Sequence, residues 1–279
     1  MTGSPLIIDD GNIDNDLLYP SDFSRGYEER DYALYPVEMF ASPSDMPEMS
    51  LTEIADRIKD HEANQSSLRH IRRRALNGQP IPSLDQNGQG YCWAYSNTIG
   101  VMLTRARDNQ PPVRLSAHGV ACKVKNFVDQ GGWCGLSAKF IRENGIPSVE
   151  AWPEKSMSRS NDNATTWANA ALHKITEDYV DLSAGHIADQ NLTKKQVLTQ
   201  LVLNNPCATD FNWWGHSVCA MWATLLGNAS QNLTLDMFGI GIINSWTDKW
   251  GDLGESVLQG SKSVPNGAVC TRVSTPSNK

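Results

Sequence analysis

The chain has 279 residues, 40% of them hydrophobic and 20% charged, enough to build a core without disulfides or metal, as one domain or two lobes sharing a cleft. A net charge of -7 gives no case for nucleic acid as the main partner, and no apolar run approaches the ~20 residues needed to cross a bilayer. The six cysteines (92, 122, 134, 207, 219 and 270) contain no close CxxC pair, which argues against a zinc site and leaves no cofactor to propose.

Residues 1 to about 48 are polar and acidic, dotted with Tyr19, Phe23, Tyr27, Tyr32, Tyr35 and Phe40. The one short apolar run, Pro5-Leu6-Ile7-Ile8, is too short for the core of a signal peptide. Such a segment builds no core alone and reads as an arm lying along another surface, of its own body or of a neighbouring subunit. Residues 50–76 carry apolar side chains at helical spacing (Leu51, Ile54, Ile58, then Leu68, Ile71, Ala75). Ser50 with Glu53 forms a capping-box pattern at the start, and Asn77-Gly78 stops the run. The cluster Arg72-Arg73-Arg74 falls at that helix end, where the dipole favours positive charge.

From Pro80 the pattern changes. It predicts helices over 92–107, 136–144 and 193–204, then strands over 217–226, 237–244 and 268–273. Helices first and strands later predict an α+β protein: an extension over 1–78, a helical lobe over about 79–175 and a β-rich lobe over about 176–279.

Chemistry concentrates in three segments. In the first, Asp85-Gln86-Asn87-Gly88-Gln89-Gly90-Tyr91-Cys92-Trp93-Ala94, two glycines let a tight loop approach a substrate, and the cysteine opens a helix. Backbone N–H groups and the dipole at a helix start favour a thiolate. Such a cysteine needs a base, an orienting partner for that base and donors for an oxyanion. The second is Trp214-Gly215-His216-Ser217-Val218, where a histidine begins a strand of small and apolar residues. The third is Ile243-Asn244-Ser245-Trp246-Thr247-Asp248-Lys249-Trp250-Gly251, at the end of an apolar strand.

In this order the three segments resemble the papain-like cysteine peptidases of the papain and cathepsin type. The resemblance implies a two-lobed fold, in which a helical lobe carries the nucleophile helix and a β-barrel-like lobe carries histidine and asparagine. It implies Cys92 as nucleophile, followed by Trp93, with His216 as base and Asn244 as its orienting partner. Gln86, six residues before Cys92, would hold the oxyanion. Gly131 and Gly132 would line the cleft and pair with an extended peptide, with Trp133 and Cys134 walling the subsite two residues before the cleaved bond. Trp246 would shield the His216–Asn244 bond, and Trp250 would wall the leaving-group side. The implied thiolate pKa is on the order of 3–4, the range of papain's own nucleophile.

Departures from the family are also legible. Gln89 stands where secreted members have a disulfide cysteine, and Cys122 has no partner cysteine after Trp152-Pro153. Both fit a reducing compartment, cytoplasmic or inside a viral or phage particle, rather than secretion by a classical signal peptide. Glu53, Arg57, Asn64 and Leu68 are spaced like an inhibitory pro-segment, but His61 and Arg72 break that pattern, so residues 1–78 read as a permanent extension. The expected function is an endopeptidase acting on peptide or protein substrates without membrane or nucleic acid. A structural subunit of a larger assembly, such as a virion, keeping the same fold is the first competing reading. Transglutaminase-like acyl transfer, which usually has Asp where this chain has Asn244, is the second.

Overall fold

The computed structural model describes residues 6–11, 23–36, 48–175, 180–182, 190–226 and 232–271. The described helices are α1 (Leu51–Asn64), α2 (Leu68–Arg74), α3 (Cys92–Arg107), α4 (Ala117–Val124), α5 (Cys134–Asn144), α6 (Ala164–Ala170) and α7 (Gln190–Val202). The strands are β1 (Leu6–Ile8), β2 (Val180–Asp181), β3 (Cys207–Phe211), β4 (His216–Leu225), β5 (Phe238–Ile243), β6 (Glu255–Leu258) and β7 (Gly267–Cys270). Helices and strands segregate into two lobes, the α+β arrangement read from the sequence.

Helix α3 sits where the lobes meet. Every residue from Cys92 to Arg105 is buried, because the helix is apolar or small on all faces and is covered all round. It packs on α2, α4 and α5 on one side and on β3 and β4 on the other. The seven strands form one sheet in the order β1-β6-β5-β4-β3-β7-β2. All pairs are antiparallel except β1 with β6, so the apolar Leu6–Ile8 is the edge strand of the second lobe. β4 and β5 shift register between Ala220 and Trp222. Gly241 faces that irregularity, and any side chain there would run into the Trp222 ring.

The predicted 50–76 helix is two helices. Its capping box forms as read, with Glu53 N–H donating to Ser50 Oγ (3.2 Å) and Ser50 N–H to the Glu53 carboxylate (2.7 Å). The helix ends at Gln65, which takes a left-handed conformation (φ 48°), and α2 restarts after Ser67. The polar run Asn64-Gln65-Ser66-Ser67 has no apolar face to hold a helix down. The break turns α2 so that its arginines reach the second lobe. Arg72 is fully buried and pairs with the equally buried Glu255 at 2.5 Å. Arg69 and Arg73 reach the same carboxylate at 2.9 and 2.6 Å, and Arg73 also pairs with Asp252 at 2.7 Å. Arg72 and Arg73, placed by the sequence at a helix end that favours positive charge, thus form with Arg69 the clamp joining α2 to β6. With β1 in the sheet and α2 clamped to it, the extension is woven into the body.

Glu255→Leu should therefore be severely destabilising, by ~3–5 kcal/mol, because it strands the buried Arg72. The double variant Arg72→Met/Glu255→Leu should recover much of that loss, as read by chemical unfolding of the three proteins.

Candidate active site

Cys92 is the first residue of α3 and is fully buried. The loop before it turns through Asn87 (φ 54°) and Gly88 (φ 75°), which folds the Gln86 amide back beneath it. Gln86 Nε2 donates to the Gln89 carbonyl at 2.7 Å, while Ser245 Oγ donates to Gln86 Oε1 at 2.6 Å. His216 starts β4, and α3 packs across that strand. Its Nε2 lies 2.8 Å from Asn244 Oδ1, which also accepts the Ser245 N–H at 2.8 Å. The buried Nδ1 has no hydrogen-bond partner. The backbone amides of Ser217, next to His216, and of Gly26 favour the thiolate form of Cys92.

Aromatic rings enclose the histidine. Trp246 stacks on it with centroids 4.5 Å apart, and Trp214 meets it edge-on at 4.9 Å. Trp250 packs on both tryptophans, at 5.9 and 6.0 Å. Trp93 ties back to the Gly90 carbonyl through its Nε1 (3.1 Å), and a side chain at Gly132 would press on its ring. Gln89, in the place of a half-cystine, is held by His118, which Tyr95 holds in turn at 2.7 Å, so a polar network stands where a disulfide would. All six cysteines are free thiols.

Part of the acidic arm runs through this cleft, which the sequence alone did not disclose. Phe23 stacks on Trp246 at 5.6 Å. The Ser24 carbonyl accepts from Gln86 Nε2 at 2.6 Å and from Trp246 Nε1 at 3.3 Å. Gly26 lies so close to Gly90 that no side chain would fit. Tyr27 forms a parallel bridge with Gly132, whose N–H donates to the Gly26 carbonyl (2.8 Å) and whose carbonyl accepts the Glu28 N–H (2.9 Å). Tyr27 N–H donates to the Gly215 carbonyl at 3.2 Å. A side chain at Gly131 would also strike the arm, at the Gly26 carbonyl. Farther on, Tyr35 packs on Trp133 at 4.8 Å. The surface on which the arm lies is its own body.

This cover decides the electrostatics. Burial pushes the Cys92 thiol up to about 12, against the partial relief of the Ser217 and Gly26 amides. Burial likewise pulls His216 down to about 3, opposed by its bond to Asn244. Both groups are neutral here, so the low thiolate pKa expected from the helix start is absent: excluded water costs a charge more than the dipole returns.

Beyond the cleft, Cys134 opens α5, and its N–H donates to Asp210 Oδ2 at 3.0 Å. Ser217 Oγ donates to the other oxygen of Asp210. Asp210 is buried and shifts up to about 6, chiefly through desolvation. Neither Asp210 nor Ser217 was singled out by sequence, because each is an ordinary strand position whose meaning comes from the pairing of β3 with β4. A separate cavity of about 870 Å³, walled by Ile71, Leu76, Met102 and Arg105 among others, shares no residue with the Cys92 cleft. Among the described residues no cluster of side chains suits a metal ion, and no helix is long and apolar enough to cross a membrane.

No family model matches the chain. Over 193 residues it is 27% identical to zingipain-2 of Zingiber officinale, covering 64% of this chain and 81% of that one. Over 195 residues it is 26% identical to cathepsin B-like CP3 of Giardia intestinalis, covering 62% of this chain and 63% of that relative's length. Its fold is similar to that of xylellain, a cysteine protease from Xylella fastidiosa, with a TM-score of 0.56 at 13% identity over 90% of this chain and 97% of the other. The digestive procathepsin L2 proteinase of Tenebrio molitor is similar in fold at a TM-score of 0.51 and 22% identity, over 71% of this chain and 64% of that one. In sequence the chain is similar to zingipain-2 and to a cathepsin B-like protein, and in fold to papain-like cysteine proteases.

Proposed function

We propose that the chain is a cysteine endopeptidase held latent by its own residues 23–36. Cys92 Sγ gives its proton to His216 Nδ1, and the thiolate adds to the carbonyl carbon of a peptide bond. The electron pair displaced onto oxygen is stabilised by Gln86 Nε2 and the Cys92 N–H. Collapse expels the amine, protonated by His216, and leaves a thioester on Cys92. Water, giving a proton to His216, then frees the acid and restores the thiol. Asn244 keeps Nε2 of the histidine engaged, which leaves Nδ1 to take the proton of the sulfur. Trp246 and Trp214 exclude water from that bond.

The observation that carries this reading is the Ser24 carbonyl, held by Gln86 Nε2 at 2.6 Å beside Cys92. A carbonyl oxygen already sits with the donor proposed for the oxyanion. The arm's direction opposes its own cleavage. A productive peptide lies with its acyl side along Gly132 and its amine side toward Trp246 and Trp250. The arm runs the other way, from Phe23 on Trp246 to Tyr27 beside Gly132. The competing structural-subunit reading asks for no reactive thiol, and this distinguishes the two.

In the intact chain Cys92 should resist iodoacetamide from pH 5.5 to 9, since its thiol ionises only near 12 and reagent is excluded. Gly26→Leu should push the arm off Gly90 and open the cleft. Water then lowers the Cys92 pKa and raises that of His216. Labelling at pH 5.5 should follow, mapped to Cys92 by mass spectrometry and lost in Gly26→Leu/His216→Ala. The same variant should hydrolyse denatured casein. A labelled Cys92 with no hydrolysis of casein or of a mixed peptide library would sink the peptidase reading.

In the Gly26→Leu background, Gln86→Ala should lower kcat by ~10²–10³-fold, as expected for loss of one oxyanion donor. KM should change little, because the interaction belongs to the transition state.

A further inference from the structure

The cavity of about 870 Å³ on the helical lobe lies between the end of α2, the loop after it, the last turns of α3 and the loop beyond. Its walls are mostly apolar. Ile71 and Ala75 border it from the α2 side, Ile81 and Pro82 from the loop, Met102 from α3 and Val113 from the segment after it. Small-molecule sites typically enclose about 300–1,000 Å³, with apolar walls and a few placed polar groups. This cavity has that size and that make-up.

The charges on its walls have one sign. Arg74, Arg105, Arg107 and Arg114 line the cavity, and among the described residues no aspartate or glutamate does. Asp108 and Glu154, which pair with Arg107 and Arg114, stand outside the lining. Arg105 is the most buried of the four, at 3% exposed. Its NH2 donates to the Pro111 carbonyl at 3.2 Å, which sets the guanidinium against the loop that walls the cavity. Burial pulls the Arg105 guanidinium below its ordinary pKa, so its charge is held there at a cost in solvation. Gln110 also lines the cavity, and its buried Oε1 has no hydrogen-bond partner. Turned over, the same amide offers its NH2 to an anion. Apolar walls disfavour a bare inorganic anion, which would leave its hydration behind, and the arginines give a neutral oil no advantage. A carboxylate on an apolar chain suits both features, because its head accepts charge-assisted hydrogen bonds from a guanidinium while its chain leaves water.

We propose that this cavity binds a small anionic amphiphile, a carboxylate on an unbranched apolar chain, with its head on Arg105 and its chain along Ile71, Ile81 and Met102. Arg74 adds to the positive field at the head. The site stands apart from the peptidase reading, because the cavity shares no residue with the Cys92 cleft.

The test titrates the full chain with decanoate by isothermal calorimetry, below the concentration at which decanoate forms micelles. One equivalent should bind. Uncharged decanamide should bind at least about tenfold more weakly, the effect of losing one charge-assisted hydrogen bond. Octanoate, shorter by two methylenes, should also bind about tenfold more weakly than decanoate. Ala106 lines the cavity, and Ala106→Trp should fill it and abolish binding. Arg105→Met should erase the preference for decanoate over decanamide, with the fold of each variant checked by circular dichroism. If Arg105→Met fails to fold, Arg74→Gln, at the end of α2, serves in its place and should weaken decanoate at least about threefold while leaving decanamide unchanged. A chain that binds no decanoate, or binds decanoate and decanamide equally, would overturn the proposal. So would binding of several equivalents at once, or binding that survives Ala106→Trp.

Discussion

The burial of α3 on every side is the constraint on which the rest depends. A helix exposed on one face can shift or fray without much loss. One packed between a helical lobe and a sheet is held over its length by both cores. Its first residue, Cys92, is therefore set at the seam between the lobes, where β4 delivers His216 and the turn after β5 delivers Asn244. The Arg72–Glu255 clamp serves the same end from outside, because it fixes α2 to the sheet beside that seam.

The second determinant is water. Cys92 and His216 stand in a dry cleft lined by tryptophans and roofed by the arm, and there the neutral forms of both groups win. The helix dipole and two backbone amides work in the opposite direction and lose, because they act on a charge that has little solvent behind it. The same side chains with water admitted form a different electrostatic system. The latency proposed above would be a matter of solvation as much as of steric cover.

The arm joins these features. It makes backbone hydrogen bonds to Gly132 and Gly215, offers a carbonyl to Gln86, stacks Phe23 on Trp246 and pairs Arg30 with Asp181. Extended backbone pairing is indifferent to side-chain identity, so it supplies attachment. Gly26 permits the close approach at Gly90, and Arg30 supplies a specific electrostatic contact. β1, upstream of this stretch, pairs with β6 and anchors it in the sheet.

The sequence by itself determined what is local. The capping box at Ser50, the helix from Cys92 to Arg107 and the strands carrying His216 and Asn244 follow from periodicity and short-range hydrogen bonding. The loop from Gln86 to Cys92 and the two later segments could be picked out because each needs particular residues at fixed short spacings. Only the tertiary structure decided what lies far apart in the chain. The path of residues 23–36 depends on pairing with Gly132, about a hundred positions later, and a polar arm has no periodicity to announce its partner. The break at Gln65 served to aim arginines at Glu255, where the local pattern read one helix. Strands β1, β2, β3 and β6 were too short or too polar to signal themselves and exist because neighbours complete their hydrogen bonds. Asp181 and Asp210 look like any strand acids until the sheet turns them to one buried face, since burial and the nearness of charges belong to the packed chain and not to its sequence order.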